Sequence, residues 1–93
     1  MKKINEIRNE FTSLKREVNG KSVVYLDGPG GTQVPESVID AISGYYKRSN
    51  ANTHGFFASS KETDEVVDGA RNAMATLLGC SSPDRISIGQ NMT

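Results

Sequence analysis

Residues 24–35 read Val-Tyr-Leu-Asp-Gly-Pro-Gly-Gly-Thr-Gln-Val-Pro, and no other stretch of the chain narrows the choice of fold so much. A β-type run ends at Asp27. Gly28, Pro29, Gly30 and Gly31 follow directly, and Pro35 then suits the first position of a helix. Glycine accepts positive φ and lets another group come close to the backbone, while proline stiffens the turn. So much glycine in so few residues implies that something lies against this turn: a ligand, a second domain or another subunit. It is not a Walker loop, because no Gly-Lys-Ser/Thr follows.

The rest of the chain supplies helices. Ile4, Ile7, Phe11, Leu14 and Val18 recur at steps of three and four between Lys, Arg, Glu and Asn, which predicts a one-faced helix stopped by Asn19-Gly20. Residues 22–26, rich in Val and Tyr, predict a short strand. After Pro35 a second helix is expected to bury Val38, Ile39, Ile42, Tyr45 and Tyr46 and to fade near Lys47 and Arg48. Residues 49–57, Ser-Asn-Ala-Asn-Thr-His-Gly-Phe-Phe, form a loop by composition. Ser59 with Glu62 three residues on has the pattern of a capping box and predicts the start of a third helix. Val66, Val67, Ala70, Ala73, Met74, Leu77 and Leu78 keep helical spacing up to Gly79. A turn at Ser81, Ser82, Pro83 and Asp84 leads to Ile86 and Ile88, which alternate with Arg85 and Ser87 as a strand.

Composition excludes several classes. Eleven basic and eleven acidic residues cancel, so no global field favours nucleic acid or an anionic membrane. No apolar run is long enough to span a bilayer, and no signal-peptide h-region follows Met1-Lys2-Lys3. The single Cys80 forms no internal disulfide and has no cationic neighbour in sequence to activate it; a reducing, cytoplasmic compartment is the simpler expectation. No His/Cys/Asp group has metal-ligand spacing. The apolar share is 35%, without tryptophan, which is lean for a self-sufficient core in 93 residues. Gly89-Gln90-Asn91-Met92-Thr93 follow the last predicted strand, where an α/β protein starts a helix and binds an anion at its N-terminus. The sequence stops there, so half a site is present and a truncated chain is expected.

Three separated motifs carry a resemblance. Tyr25-Leu26-Asp27-Gly28-Pro29-Gly30-Gly31-Thr32, then Asn50-Ala51-Asn52-Thr53-His54-Gly55, then Gly89-Gln90-Asn91-Met92-Thr93 occur in an order and spacing that resemble the N-terminal part of the pyridoxal-phosphate-dependent class V aminotransferases, especially the cysteine desulfurase-like branch. The resemblance implies a fold-type-I α/β architecture, seen here as an N-terminal fragment that is mostly helical with short strands. It divides the chain into a docking helix at 1–20 and the start of a large cofactor domain at 21–93. It implies pyridoxal 5'-phosphate in the complete protein, held through its phosphate by Asn91, Met92 and Thr93. Gly28, Gly30 and Gly31 would wall the substrate entrance, and Asn52 and His54 would sit at a homodimer interface beside the active site.

The resemblance also implies a small amino-acid substrate, with cleavage at Cβ–S or transfer of the amino group. The Schiff-base lysine, the acidic partner of the pyridine nitrogen, the ring-stacking histidine and the mobile cysteine lie downstream in that family. None of Lys2, Lys3, Lys15, Lys21, Lys47 and Lys61 takes the lysine's place, so no catalytic residue is assigned. The turns depart from typical desulfurases: Gly28-Pro29-Gly30-Gly31 replaces an Asn/Ala-rich stretch, no Arg stands between His54 and Gly55, and Gly-Gln-Asn-Met-Thr replaces Gly-Ala/Thr-Thr-Glu. These departures point to a divergent subgroup and leave cysteine, selenocysteine and a non-sulfur amino acid open. Two rivals stand beside this reading: a non-catalytic helical interaction or dimerisation module, and a relative that keeps the scaffold without the chemistry.

Overall fold

Asn19 and Gly20 both take the left-handed region, at φ 52° and 73°, and this decides the conformation of the first part of the chain. Two successive positive φ values make the tight turn whose twist matches a β-hairpin, and Asn-Gly is the favoured pair for it. The structure, a computed structural model, describes residues 1–90. The predicted phosphate-binding residues Asn91, Met92 and Thr93 lie outside the described residues. The chain divides into two compact units, Met1–Tyr45 and the residues from Tyr46 onward.

In the first unit, the single helix expected over residues 4–18 is replaced by three short elements. Helix α1 (Ile4–Asn9) gives way to a 3-10 turn at Thr12–Lys15, and strand β1 (Glu17–Val18) pairs antiparallel with β2 (Lys21–Ser22). Glu6 accepts the Lys3 N–H at 2.7 Å and satisfies one of the free donors at the start of α1. The hairpin turns at Asn19 and Gly20, with Val18 facing Lys21 and Glu17 facing Ser22. The strand expected over 22–26 is likewise corrected. Pairing runs through Ser22, and the Val23 N–H still reaches the Arg16 carbonyl at 3.0 Å, but residues 24–26 form no strand. A strand needs a neighbour's N–H and C=O groups, and the described residues bring none to Val24 or Leu26, which are exposed. The Tyr25 hydroxyl instead donates to the Ser13 carbonyl at 3.3 Å.

Helix α2 (Glu36–Arg48) begins directly after Pro35, as expected. Its first turn is tied to the end of α1: the Glu36 N–H donates to the Glu10 carbonyl at 2.8 Å, and the Glu36 carboxylate accepts the Thr12 hydroxyl. The buried face expected for α2 is not formed. Val38, Ile39, Ile42 and Tyr46 are exposed and only Tyr45 is half-buried. The pattern that makes the helix amphipathic is present, but most of its apolar side chains stay exposed among the described residues.

The second unit is built on helix α3 (Ala58–Leu78), which ends where Gly79 takes φ 68° and its N–H returns to Thr76. A 3-10 turn at Pro83–Arg85, capped by the Ser82 hydroxyl, packs against α3. The strand expected at Ile86 and Ile88 does not form, for the same want of a partner. Among the described residues Ala75 is the one buried apolar side chain, while Ser49, Ser60 and Thr63 are buried and polar. What is enclosed here is a hydrogen-bonded loop, not an oily core.

Candidate functional site: the residue 49–57 loop

The loop at residues 49–57 is held by side chains from the first two turns of α3. Ser60, fully buried, accepts the Gly55 N–H at 2.7 Å and donates to the Asn52 carbonyl. Thr63, also buried, shares its hydroxyl between the Ser49 carbonyl at 2.8 Å and the Ser59 carbonyl at 2.9 Å. The Ser49 hydroxyl donates to the Glu62 carboxylate. Each of these bonds satisfies a polar group that would be costly to bury alone. The loop is therefore fixed at Ser49, Asn52 and Gly55, the last two on either side of the turn at Thr53 and His54.

These bonds correct the capping box expected from Ser59 and Glu62. The helix starts two residues earlier, at Ala58, with Phe57 in the cap position and no side-chain cap bond. Glu62 turns to Ser49 instead of reaching back to the cap, and Ser60 takes the role of anchor. Small polar residues at a helix start prefer such local backbone bonds, and here the nearest free backbone belongs to the loop.

His54 is the only histidine of the chain and, among the described residues, one of two non-glycine residues with positive φ, at 64°. Asp64, on α3, holds it there: the His54 backbone N–H donates to both carboxylate oxygens, at 3.0 and 3.2 Å. The imidazole Nδ1 stands 3.4 Å from Asp64 Oδ1, and the ring is 88% exposed. Thr53, His54, Asp64, Val67, Asp68 and Arg71 line a cleft of about 280 Å³. It offers a ring nitrogen, two carboxylates and one guanidinium to a polar guest.

Of the residues predicted for a site, Asn52 and His54 fall together in this loop. The Asn52 side chain is exposed and its carbonyl carries the Ser60 bond. Gly28, Gly30 and Gly31 belong to the first unit. Gly28–Gly30 is one 3-10 turn, closed by Gly30 N–H to the Asp27 carbonyl at 2.7 Å, and Gly31 follows at φ 132°. Among the described residues a Cβ added at Gly28, Gly30 or Gly31 meets nothing within 4 Å, so the turn is open on that side to a group from outside these residues. Only Gly31 needs glycine for its backbone angle. Gly55 is the glycine that does need the space, because a Cβ there would stand 2.6 Å from the Phe57 ring and 2.9 Å from Ser60 Oγ.

Sequence reasoning missed Ser60, Thr63, Asp64, Asp68 and Arg71. The signal was available as Ser60, Thr63 and Asp64 at helical spacing just after a loop rich in Asn and Gly. Among the described residues no group of His, Cys, Asp and Glu could hold a metal ion, and no helix is long and apolar enough to cross a membrane.

The family model described as "Aminotransferase class-V" matches residues 24–93. A probable cysteine desulfurase of Vibrio cholerae is 40% identical over 87 residues, which cover 92% of this chain and 22% of that protein. A probable cysteine desulfurase of Streptomyces coelicolor is 38% identical over 87 residues, 91% of this chain and 21% of that protein. A cysteine desulfurase of Klebsiella pneumoniae is 34% identical over 91 residues, 97% of this chain and 22% of that protein. The chain spans about a fifth of the length of these relatives.

Proposed function

The chain belongs to the class V aminotransferase family, and from that premise we infer that it is the N-terminal part of a pyridoxal-phosphate-dependent enzyme acting as a cysteine desulfurase. The observation that carries this reading is the likeness to proteins of that name over nine-tenths or more of the chain. The fixed loop at 49–57 supports it, because a group that must meet a small polar substrate has to be held in one place.

Gly89 and Gln90 are exposed, and a Cβ at Gly89 would meet nothing within 4 Å, so the backbone there is open to an anion. Asn91, Met92 and Thr93 would hold the phosphate through backbone N–H groups and the threonine hydroxyl. All six lysines of the chain are exposed, and none takes the position of the family's Schiff-base lysine, which the resemblance puts downstream. When bound, the cofactor supplies an electron sink for bond changes at the substrate's α and β carbons. This chain's own share is to bind and orient. Gly28, Gly30 and Gly31 wall the substrate entrance, and Asn52 and His54 reach a site shared with a second subunit of a homodimer.

The test is product analysis of the full-length protein with L-cysteine, with L-selenocysteine, and with L-alanine plus a 2-oxo acid. With a thiol added as reductant to release the sulfur as sulfide, alanine and sulfide should form from L-cysteine at a rate far above that for the amino-transfer pair. Amino transfer without sulfide release would replace the desulfurase reading with that of an aminotransferase. No turnover with any of the three would favour a scaffold without chemistry.

A further inference from the structure

Asp64 meets His54 at two points, the backbone N–H and the ring. A carboxylate only accepts, so the backbone contact is a charge-assisted hydrogen bond, and it keeps a non-glycine residue at φ 64°. The same carboxylate faces imidazole Nδ1 at 3.4 Å. That is longer than a formed hydrogen bond, yet near enough for the negative charge to favour a proton on the facing nitrogen. Such contacts commonly tighten when a site is filled. In a neutral imidazole only one nitrogen carries the proton, and the other is then an acceptor. Asp68 and Arg71 line the same cleft.

We propose that Asp64 is the positioning residue for His54: it fixes the imidazole as the Nδ1–H tautomer and leaves Nε2 as the acceptor for an amine or hydroxyl entering the cleft. The backbone bond sets where the ring begins, and the ring contact sets which nitrogen it offers. The consequence for turnover rests on the reading that this loop walls a substrate site. The tautomer does not, so it is measured without turnover, and either reading can fail alone.

The experiment is long-range 1H–15N correlation of the histidine rings in the full-length protein, at alkaline pH where imidazole is neutral. The His54 signals are assigned by their loss in His54→Gln. In the wild type, Nδ1 should show the protonated and Nε2 the unprotonated nitrogen shift. Asp64→Ala should move the ring to the Nε2–H form that free histidine favours, and exchange of the His54 amide should rise about tenfold or more. Asp64→Glu should restore the Nδ1–H form. If the alanine variant does not fold, Asp64→Asn keeps the size and loses the charge, and the Nδ1–H fraction should fall. An Nε2–H ring in the wild type, or an unchanged tautomer in both Asp64→Ala and Asp64→Asn, overturns the proposal.

Discussion

Ser60→Ala should release the residue 49–57 loop at a cost of about 1–3 kcal/mol, a large effect for the loss of one oxygen atom. The side chain is fully buried, and its hydroxyl both accepts from Gly55 and donates to Asn52. Alanine leaves one donor and one acceptor without a protein partner and has no way to let water in beneath the loop. The small gain in helix propensity from serine to alanine, a few tenths of a kcal/mol, does not offset that. Amide exchange at Gly55 in the full-length protein is the direct readout, and it should accelerate more than exchange in the middle of α3. Equal acceleration along α3 would mean that Ser60 supports the helix and not the loop.

Gly55→Ala should be destabilising by a similar amount, about 1–3 kcal/mol, for the opposite reason: an atom too many. The added Cβ would meet Phe57 Cε1 at 2.6 Å and Ser60 Oγ at 2.9 Å. The Phe57 ring is 56% exposed and can swing away, but Ser60 Oγ is enclosed and bonded on two sides. The Ser60 contact therefore sets the cost. It follows that the two substitutions are coupled. In the double variant the oxygen that blocks the new methyl is gone, so the combined loss should be smaller than the sum of the single losses. Unfolding of the two single variants and the double variant by denaturant gives this coupling directly. Strict additivity would show that the ring, not the serine, limits residue 55.

The sequence made the long helices and their ends legible, because Pro35 and Gly79 act through local backbone geometry. The same local logic misread Asn19-Gly20. The apolar residues before it fit a helical period and make the pair read as a helix stop, whereas both residues in the left-handed region close a hairpin. The strands expected at 22–26 and at Ile86 and Ile88 failed for a different reason. Alternation shows that a segment suits a sheet, but not that a neighbouring strand is at hand. Within the candidate site, the loop was visible by composition and His54 by its rarity. Its support was not visible, since Ser60, Thr63 and Asp64 look like an ordinary polar helix start. Their partners are backbone atoms, and backbone atoms leave no trace in the sequence. The glycine turn is visible in the sequence through Gly28, Gly30 and Gly31, and among the described residues the space within 4 Å of a Cβ there is open.

Whether this chain opens a pyridoxal-phosphate enzyme is tested most directly by counting the cofactor. The full-length protein would be purified, incubated with pyridoxal 5'-phosphate and passed through a desalting column, and the retained cofactor measured after alkaline release. Retention in stoichiometric amount with the polypeptide is the expected result. A protein that is folded, by far-UV circular dichroism, and that keeps no cofactor after this treatment would contradict it.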